Sequence, residues 1–157
     1  MKTLIIYESA HHGNTEKIAK AMAGVLEADL LKPDEIDAKI LLEYDLIGFG
    51  SGIYFGKHHK RLLAFIDSLP KLNKKAFIFS TKGGTPTWLN HKKLKKKLSE
   101  KGFDIVKEFS CKGFDTFGML KYIGGINKNR PNEEDLEKAK IFAKELSVLQ
   151  PSNKEIN

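Results

Sequence analysis

A chain of 157 residues with 41% hydrophobic content is long enough for one domain with its own core and short for two. A single cysteine, Cys111, excludes an internal disulfide, and no Cys/His grouping has zinc spacing, so the core must hold the fold unaided. The net charge of +7 implies affinity for anions without choosing one, and no recognition motif accompanies it to mark a nucleic-acid binder.

After Met1-Lys2-Thr3, the run Leu4 to Tyr7 reads as a buried strand; it is too short for a signal peptide or a membrane span, and a cytoplasmic protein is expected. Next comes Glu8-Ser9-Ala10-His11-His12-Gly13-Asn14-Thr15, directly ahead of a helix. Gly13 lets the backbone approach an anion, Ser9, Asn14 and Thr15 offer side-chain donors, and the N–H groups of the helix start point the same way. This is the chemistry of a phosphomonoester site, and equally of an ordinary capped turn. The loop has neither Gly-x-Gly-x-x-Gly nor Gly-x-x-x-x-Gly-Lys-Ser/Thr, which disfavours dinucleotides and nucleoside triphosphates.

From Asn14 to Glu27 the residues Ile18, Met22, Val25 and Leu26 place one apolar face along a helix. Asp29 to Lys32 is a weaker strand suited to a sheet edge, and Leu46 to Phe49 a buried one. A second glycine-bearing loop, Gly50-Ser51-Gly52-Ile53-Tyr54-Phe55-Gly56-Lys57-His58-His59, leads to a helix from His59 to Leu69 that Pro70 stops. Ala76 to Ser80 is a strand, followed by the loop Ser80-Thr81-Lys82-Gly83-Gly84-Thr85-Pro86-Thr87-Trp88. The helix from Trp88 to Lys101 ends at Gly102; Leu94 and Leu98 mark its buried stripe beneath a lysine face, and Trp88 is read as its first core residue. Phe103 to Phe109 is the fifth strand. The 112–130 connection is long for a compact domain, which implies a lid or a partner surface. Asn132 then caps a last helix whose first turn holds Glu133, Glu134 and Asp135 and whose stripe is Leu136, Ala139, Ala143 and Leu146.

Strands alternating with amphipathic helices predict a doubly wound α/β/α domain over residues 1–149, with 150–157 as a tail. Five parallel strands with this spacing allow the order 2-1-3-4-5, in which ligands bind beyond the strands' carboxyl ends, between the first and third. All three loops then open at one end of the sheet. Two features read more simply as structure. Cys111 is expected to be a small buried residue rather than a redox thiol. The pairs His11-His12 and His58-His59 have no carboxylate pattern to make them a metal site, and surface or phosphate-contact roles are expected.

The run Ser9 to Thr15 resembles the phosphate loop of flavodoxins, whose Ser/Thr-rich turn ends in Gly-Asn-Thr or a close variant, here with histidines where hydroxyl residues are usual. The order 2-1-3-4-5 with FMN at the switch point is that family's own arrangement, taken from it rather than from these residues. The run 50–59 is also similar to the corresponding loop of the flavodoxin-like menaquinone-dependent protoporphyrinogen oxidases. The runs Cys111 to Phe117 and Gly124 to Leu136 are similar to uncharacterised flavodoxin-domain proteins. The resemblance implies one FMN, its phosphate held by Ser9, His11, His12, Gly13, Asn14 and Thr15. Ser51, Gly52, Ile53, Tyr54 and Phe55 would lie against the ring, with Tyr54 or Phe55 on one face, and Ser80, Thr81, Lys82, Gly83 and Gly84 at its polar edge. The other face is left open, or covered by Trp88, Phe114 or Phe117.

On this resemblance the flavin does the chemistry and no side chain serves as a catalytic acid or base. Three functions follow: electron transfer to or from a redox partner, oxidation or reduction of a quinone or protoporphyrinogen, or protein interaction without catalysis. Flavodoxins are typically acidic, so the positive charge here points to an acidic partner protein, an anionic substrate or an anionic membrane surface.

Overall fold

Every predicted strand and helix forms, in the predicted order, in a computed structural model that describes residues 1–10, 12–114 and 124–149. The strands are β1 (Thr3–Glu8), β2 (Asp29–Leu31), β3 (Leu46–Tyr54), β4 (Lys57–His58), β5 (Lys75–Lys82) and β6 (Asp104–Lys112). The helices are α1 (Asn14–Leu26), α2 (Lys60–Ser68), α3 (Thr87–Glu100) and α4 (Glu133–Ser147), and two short 3-10 turns at Pro33–Glu35 and Ala38–Glu43 join β2 to β3. The predicted tail, 150–157, the middle of the long connection and His11 lie outside the described residues.

Five strands run parallel in the order β2-β1-β3-β5-β6, which is the predicted order once β4 is given its own number. The strand that sequence reading missed is β4, paired antiparallel to the end of β3 through Ile53 with His58 and Tyr54 with Lys57. Lys57-His58 carries no strand signal; the hairpin is made by its turn, where Phe55 (φ 51°) and Gly56 (φ 73°) are both left-handed. Two consecutive left-handed residues match the right-handed twist of the strands they join, a position where Asn-Gly rather than Phe-Gly is usual.

Alternate strand residues build a core on each face. Leu4, Ile6, Ile47, Phe49 and Ile78 pack beneath α2 and α3 against Leu62, Ile66, Leu94 and Leu98. Ile5, Tyr7, Phe77 and Phe79 pack beneath α1 and α4 against Ile18, Met22, Phe142 and Ala143. On that second face the rings of Phe77 and Phe79 lie over their sheet neighbours Gly48 and Gly50, where a Cβ would come within 2.2 Å of a ring carbon. Glycine in β3 is therefore a packing requirement of the aromatic layer.

The amphipathic stripes form as read, with one correction. Trp88 is 71% exposed and is no core residue of α3. The buried face of α3 runs through Asn90, His91, Leu94 and Leu98, and Trp88 lies on the flank with Lys92, Lys95 and Ser99. At the start of α4 the predicted cap is present as a reciprocal pair: Asp135 N donates to Asn132 Oδ1 (3.0 Å) and Asn132 N to Asp135 Oδ2 (2.8 Å). Arg130 adds two hydrogen bonds to the same buried carboxylate, and with the backbone bonds they hold it well below the usual range although burial pushes it up.

Candidate functional site

The sheet register sets the level of the site. Glu8, Ser51, Ser80 and Ser110 stand side by side on β1, β3, β5 and β6, so the loops that follow them leave the sheet from one row. In the first loop His12 (φ 58°) and Gly13 (φ 65°) turn the chain left-handed into α1. Gly13 is the N-cap residue and offers no side-chain cap, and the space where its Cβ would stand is open, with no heavy atom within 4 Å. Ser9 Oγ accepts from the amide of Glu16 at 3.3 Å. With the Glu16 amide taken by Ser9, a helix start whose cap residue is a glycine with open space beside it still suits a phosphate group, because the remaining first-turn amides and the helix dipole face it together.

Several side chains read as ligand donors tie the loops to one another. The hydroxyls of Thr15 and Thr81 lie 2.9 Å apart in a buried contact that joins the first loop to the third. Asn14 Nδ2 donates to Phe114 O at 2.8 Å, and the Phe114 ring lies 4.2 Å from that of His12, so the segment after β6 closes on the first loop. The same segment reaches the third loop through Asn127 Nδ2 to Gly83 O (3.3 Å) and Gly113 N to Lys82 O (2.9 Å). Lys82 Nζ donates to Thr87 Oγ1 at 3.2 Å, and Gly84 is exposed. When Thr81 is the donor in its pair, the proton of Thr15 stays available for an anion. The length of the 112–130 connection is the signal that marked this bracing segment; which residues it would reach depends on the fold.

In the second loop Ser51 is fully buried and its hydroxyl accepts from His59 N (2.8 Å) while donating to Gly52 O (2.7 Å), which closes the turn between β3 and α2. Gly52 and Ile53 are half-buried, and the Tyr54 hydroxyl lies 3.3 Å from where a Cβ on Gly52 would stand. The Tyr54 ring meets His59 edge-on at 5.2 Å. Phe55 is 83% exposed. The loop therefore holds the Tyr54 side chain against the Gly52 backbone, which puts an aromatic ring and a glycine side by side in this loop.

His58 overturns the expectation of a surface or phosphate-contact role. It is buried, with Nε2 3.1 Å from Phe79 O, and its ring centroid is 5.0 Å from that of His91. Burial, reinforced by His91, drives its pKa down to about 3, so the ring is neutral. His91 in turn places Nε2 2.7 Å from Ser80 Oγ and Nδ1 3.1 Å from Glu108 Oε1, and Ser80 also meets Ser110 Oγ at 3.0 Å. Burial lowers the pKa of His91 against the opposing pull of Glu108. Ser80, His91 and Glu108 have the connectivity of a nucleophile, base and acid. Ser80 and His91 are sealed from solvent, however, so no substrate meets the hydroxyl, and the network binds α3 and β6 to the end of β5. Ser80 can thus face a ligand only through its backbone. The sequence signal was Asn90-His91 on the apolar stripe of α3, where leucine would be expected. Cys111 is buried and its thiol is pushed up to about 12 by burial, in keeping with a packing role.

Comparison with known proteins agrees with this architecture. Residues 4–122 match a family model described as a flavodoxin domain. An uncharacterized protein of Methanocaldococcus jannaschii is 57% identical over 148 residues, covering 93% of this chain and 98% of that one. A flavodoxin of Clostridium saccharobutylicum is 29% identical over 165 residues, 94% of this chain and 96% of its own. Oxidised flavodoxin 1 of Bacillus cereus superimposes with a TM-score of 0.73 at 24% identity, over 96% of this chain and all of that one. With the family model spanning most of its length, the chain belongs to the flavodoxin domain family.

Proposed function

We propose that this protein binds one FMN at the carboxyl end of β1, β3 and β5 and passes electrons through it to or from a partner. The observation that carries the reading is that the sheet register sets three loops in one row, with the Thr15–Thr81 contact joining the first and third beside open space at Gly13, the glycine that starts α1. The residues present fit the group. The amides of residues 12–15, with Ser9, His11, His12, Asn14 and the second bond of Thr15, would hold the phosphate. The backbone of Ser51, Gly52 and Ile53, with Tyr54 or Phe55, would lie along the ring. Ser80 by its backbone, and Thr81, Lys82, Gly83 and Gly84, would meet its polar edge.

Bound FMN supplies the electron chemistry. The chain's part is to orient it and to hold its surroundings still. The buried Ser51 hydroxyl fixes the second loop to α2, the Ser80–His91–Glu108 network fixes the end of β5, and Asn14 and Asn127 hold the segment after β6 against both phosphate and ring-edge loops. None of these groups moves a proton to a substrate in this reading. Among the described residues no helix is long and apolar enough to cross a membrane.

The test is an absorption spectrum of the purified protein and of protein incubated with FMN. A flavin spectrum retained through gel filtration is expected. The double variant Gly13→Asp, Thr15→Ala places a carboxylate at the proposed phosphate position and removes the loop contact, and it should retain none. Retention equal to the parent would refute the phosphate site. A second reading, an oxidoreductase acting on a quinone or protoporphyrinogen, draws on the sequence of loop 50–59; turnover with those substrates faster than electron exchange with a redox protein would favour it. A correctly folded protein with no affinity for FMN would leave only a protein-interaction role.

A further inference from the structure

Beside the second loop, the structure carries a surface that the flavin reading touches only at Phe55, one of its two candidates for the ring face. Three large apolar side chains are exposed there: Phe55 (83%), Trp88 (71%) and Leu89 (40%). They form one patch, because the hairpin turn lies on the start of α3, with Leu89 3.9 Å from where a Cβ on Gly56 would stand. Phe55 holds a left-handed backbone (φ 51°), where a bulky side chain is unfavourable.

Lysines surround the patch. One shallow groove runs between Trp88, Lys92, Lys95 and Lys96, a second between Phe55, Leu89, Lys92 and Lys96, and a third continues past Lys57 and Lys93 to Lys60. Two lysines of α3 are compensated: Lys95, in the Trp88 groove, meets Glu108 at 2.9 Å, and Lys97 meets Asp67 at 2.6 Å. Among the described residues, Lys57, Lys60, Lys92, Lys93 and Lys96 have no acidic partner. An apolar, aromatic centre inside a charged rim is the anatomy of a protein–protein interface, and a rim of one sign selects a partner of the other.

We infer that the face formed by the 54–57 hairpin and the lysine side of α3 docks a small acidic electron-transfer protein, with Trp88, Leu89 and Phe55 at the centre of the contact. The inference rests on the electron-transfer role proposed above, since Tyr54 of the ring loop adjoins Phe55 and a partner seated here would stand next to the flavin. A single-stranded nucleic acid or an anionic membrane would also be drawn to lysines. The choice of a protein follows from the mixture of Leu89 with the aromatics and from the absence of arginine among the lining residues, where base stacking and phosphate forks would use it.

The experiment titrates the full chain, both as purified and after incubation with FMN, with an acidic [2Fe–2S] ferredoxin. Binding is followed by calorimetry and by the emission of Trp88, the chain's single tryptophan. Two triple variants with the same change in net charge are compared: Lys92→Glu, Lys93→Glu, Lys96→Glu on the proposed face, and Lys20→Glu, Lys138→Glu, Lys144→Glu on α1 and α4. The first should weaken binding about tenfold or more and the second less than about twofold, with affinity falling as salt is raised. Trp88→Ala, at an exposed position that leaves the core intact, should also weaken it. No ferredoxin binding, equal losses in the two triple variants, or tighter binding of an oligothymidine or of phosphatidylserine vesicles would overturn the inference. Absence of flavin with ferredoxin binding intact would instead overturn the FMN reading and leave the docking face standing.

Discussion

Acidification should loosen this fold through His58, and by an amount the structure lets one work out. The neutral ring is buried on β4 with its pKa near 3, against 6.5 for an exposed imidazole. The groups facing it are the Phe79 carbonyl on β5 and, from α3, the His91 ring and the Asn90 backbone. Because the folded value is depressed, the unfolded chain binds the proton first. Stability is therefore full above about pH 6.5 and falls as pH drops toward 3, at about 1.4 kcal/mol per pH unit. Between pH 7 and pH 5 the loss from His58 alone is about 2 kcal/mol, a large part of the total for a domain of this size. His91, also depressed by burial, adds in the same direction. The assay is urea unfolding by far-ultraviolet circular dichroism at pH 7, 6 and 5 for the parent and for His58→Gln, whose amide can still donate to the Phe79 carbonyl. The variant should be less stable at pH 7 but lose markedly less on acidification. Identical losses in the two proteins would refute the assignment.

Two further substitutions test the packing. Gly50→Ala forces a methyl group into the Phe79 ring and should cost about 2 kcal/mol or more; adding Phe79→Leu, which withdraws the ring edge, should restore part of it, measured by the same urea midpoints. If Gly50→Ala is neutral, the aromatic layer is not the reason for glycine in β3. Phe55→Asn relieves a left-handed phenylalanine and should raise stability by about 1 kcal/mol while weakening ferredoxin binding. Greater stability without loss of binding would remove Phe55 from the docking face.

How far the fold could be read ahead follows from where its information lies. Buried strands and amphipathic helices announce themselves by local periodicity, so α1, α2, α4 and the parallel strands stood where leucine, isoleucine and alanine spacing put them. The hairpin of β4 did not, because two left-handed residues rather than any strand-forming pattern make it. Trp88 was misplaced because an aromatic residue at the head of a helix reads as core unless the stripe is extended through Asn90 and His91, polar residues that become buried only by finding Ser80 and Glu108.

For the site, chain order alone showed that loops carrying Gly13, Gly52 and Gly83-Gly84 follow the first, third and fourth predicted strands, and the handedness of the crossovers brings such loops to one end. What each side chain does there was decided by contacts between residues far apart in the chain: Thr15 with Thr81, Asn14 with Phe114, His58 with Phe79. A hydroxyl or an imidazole has the same donors in any sequence. Whether it faces a ligand or braces a loop depends on what the packed sheet and helices set beside it, and burial then fixes its protonation.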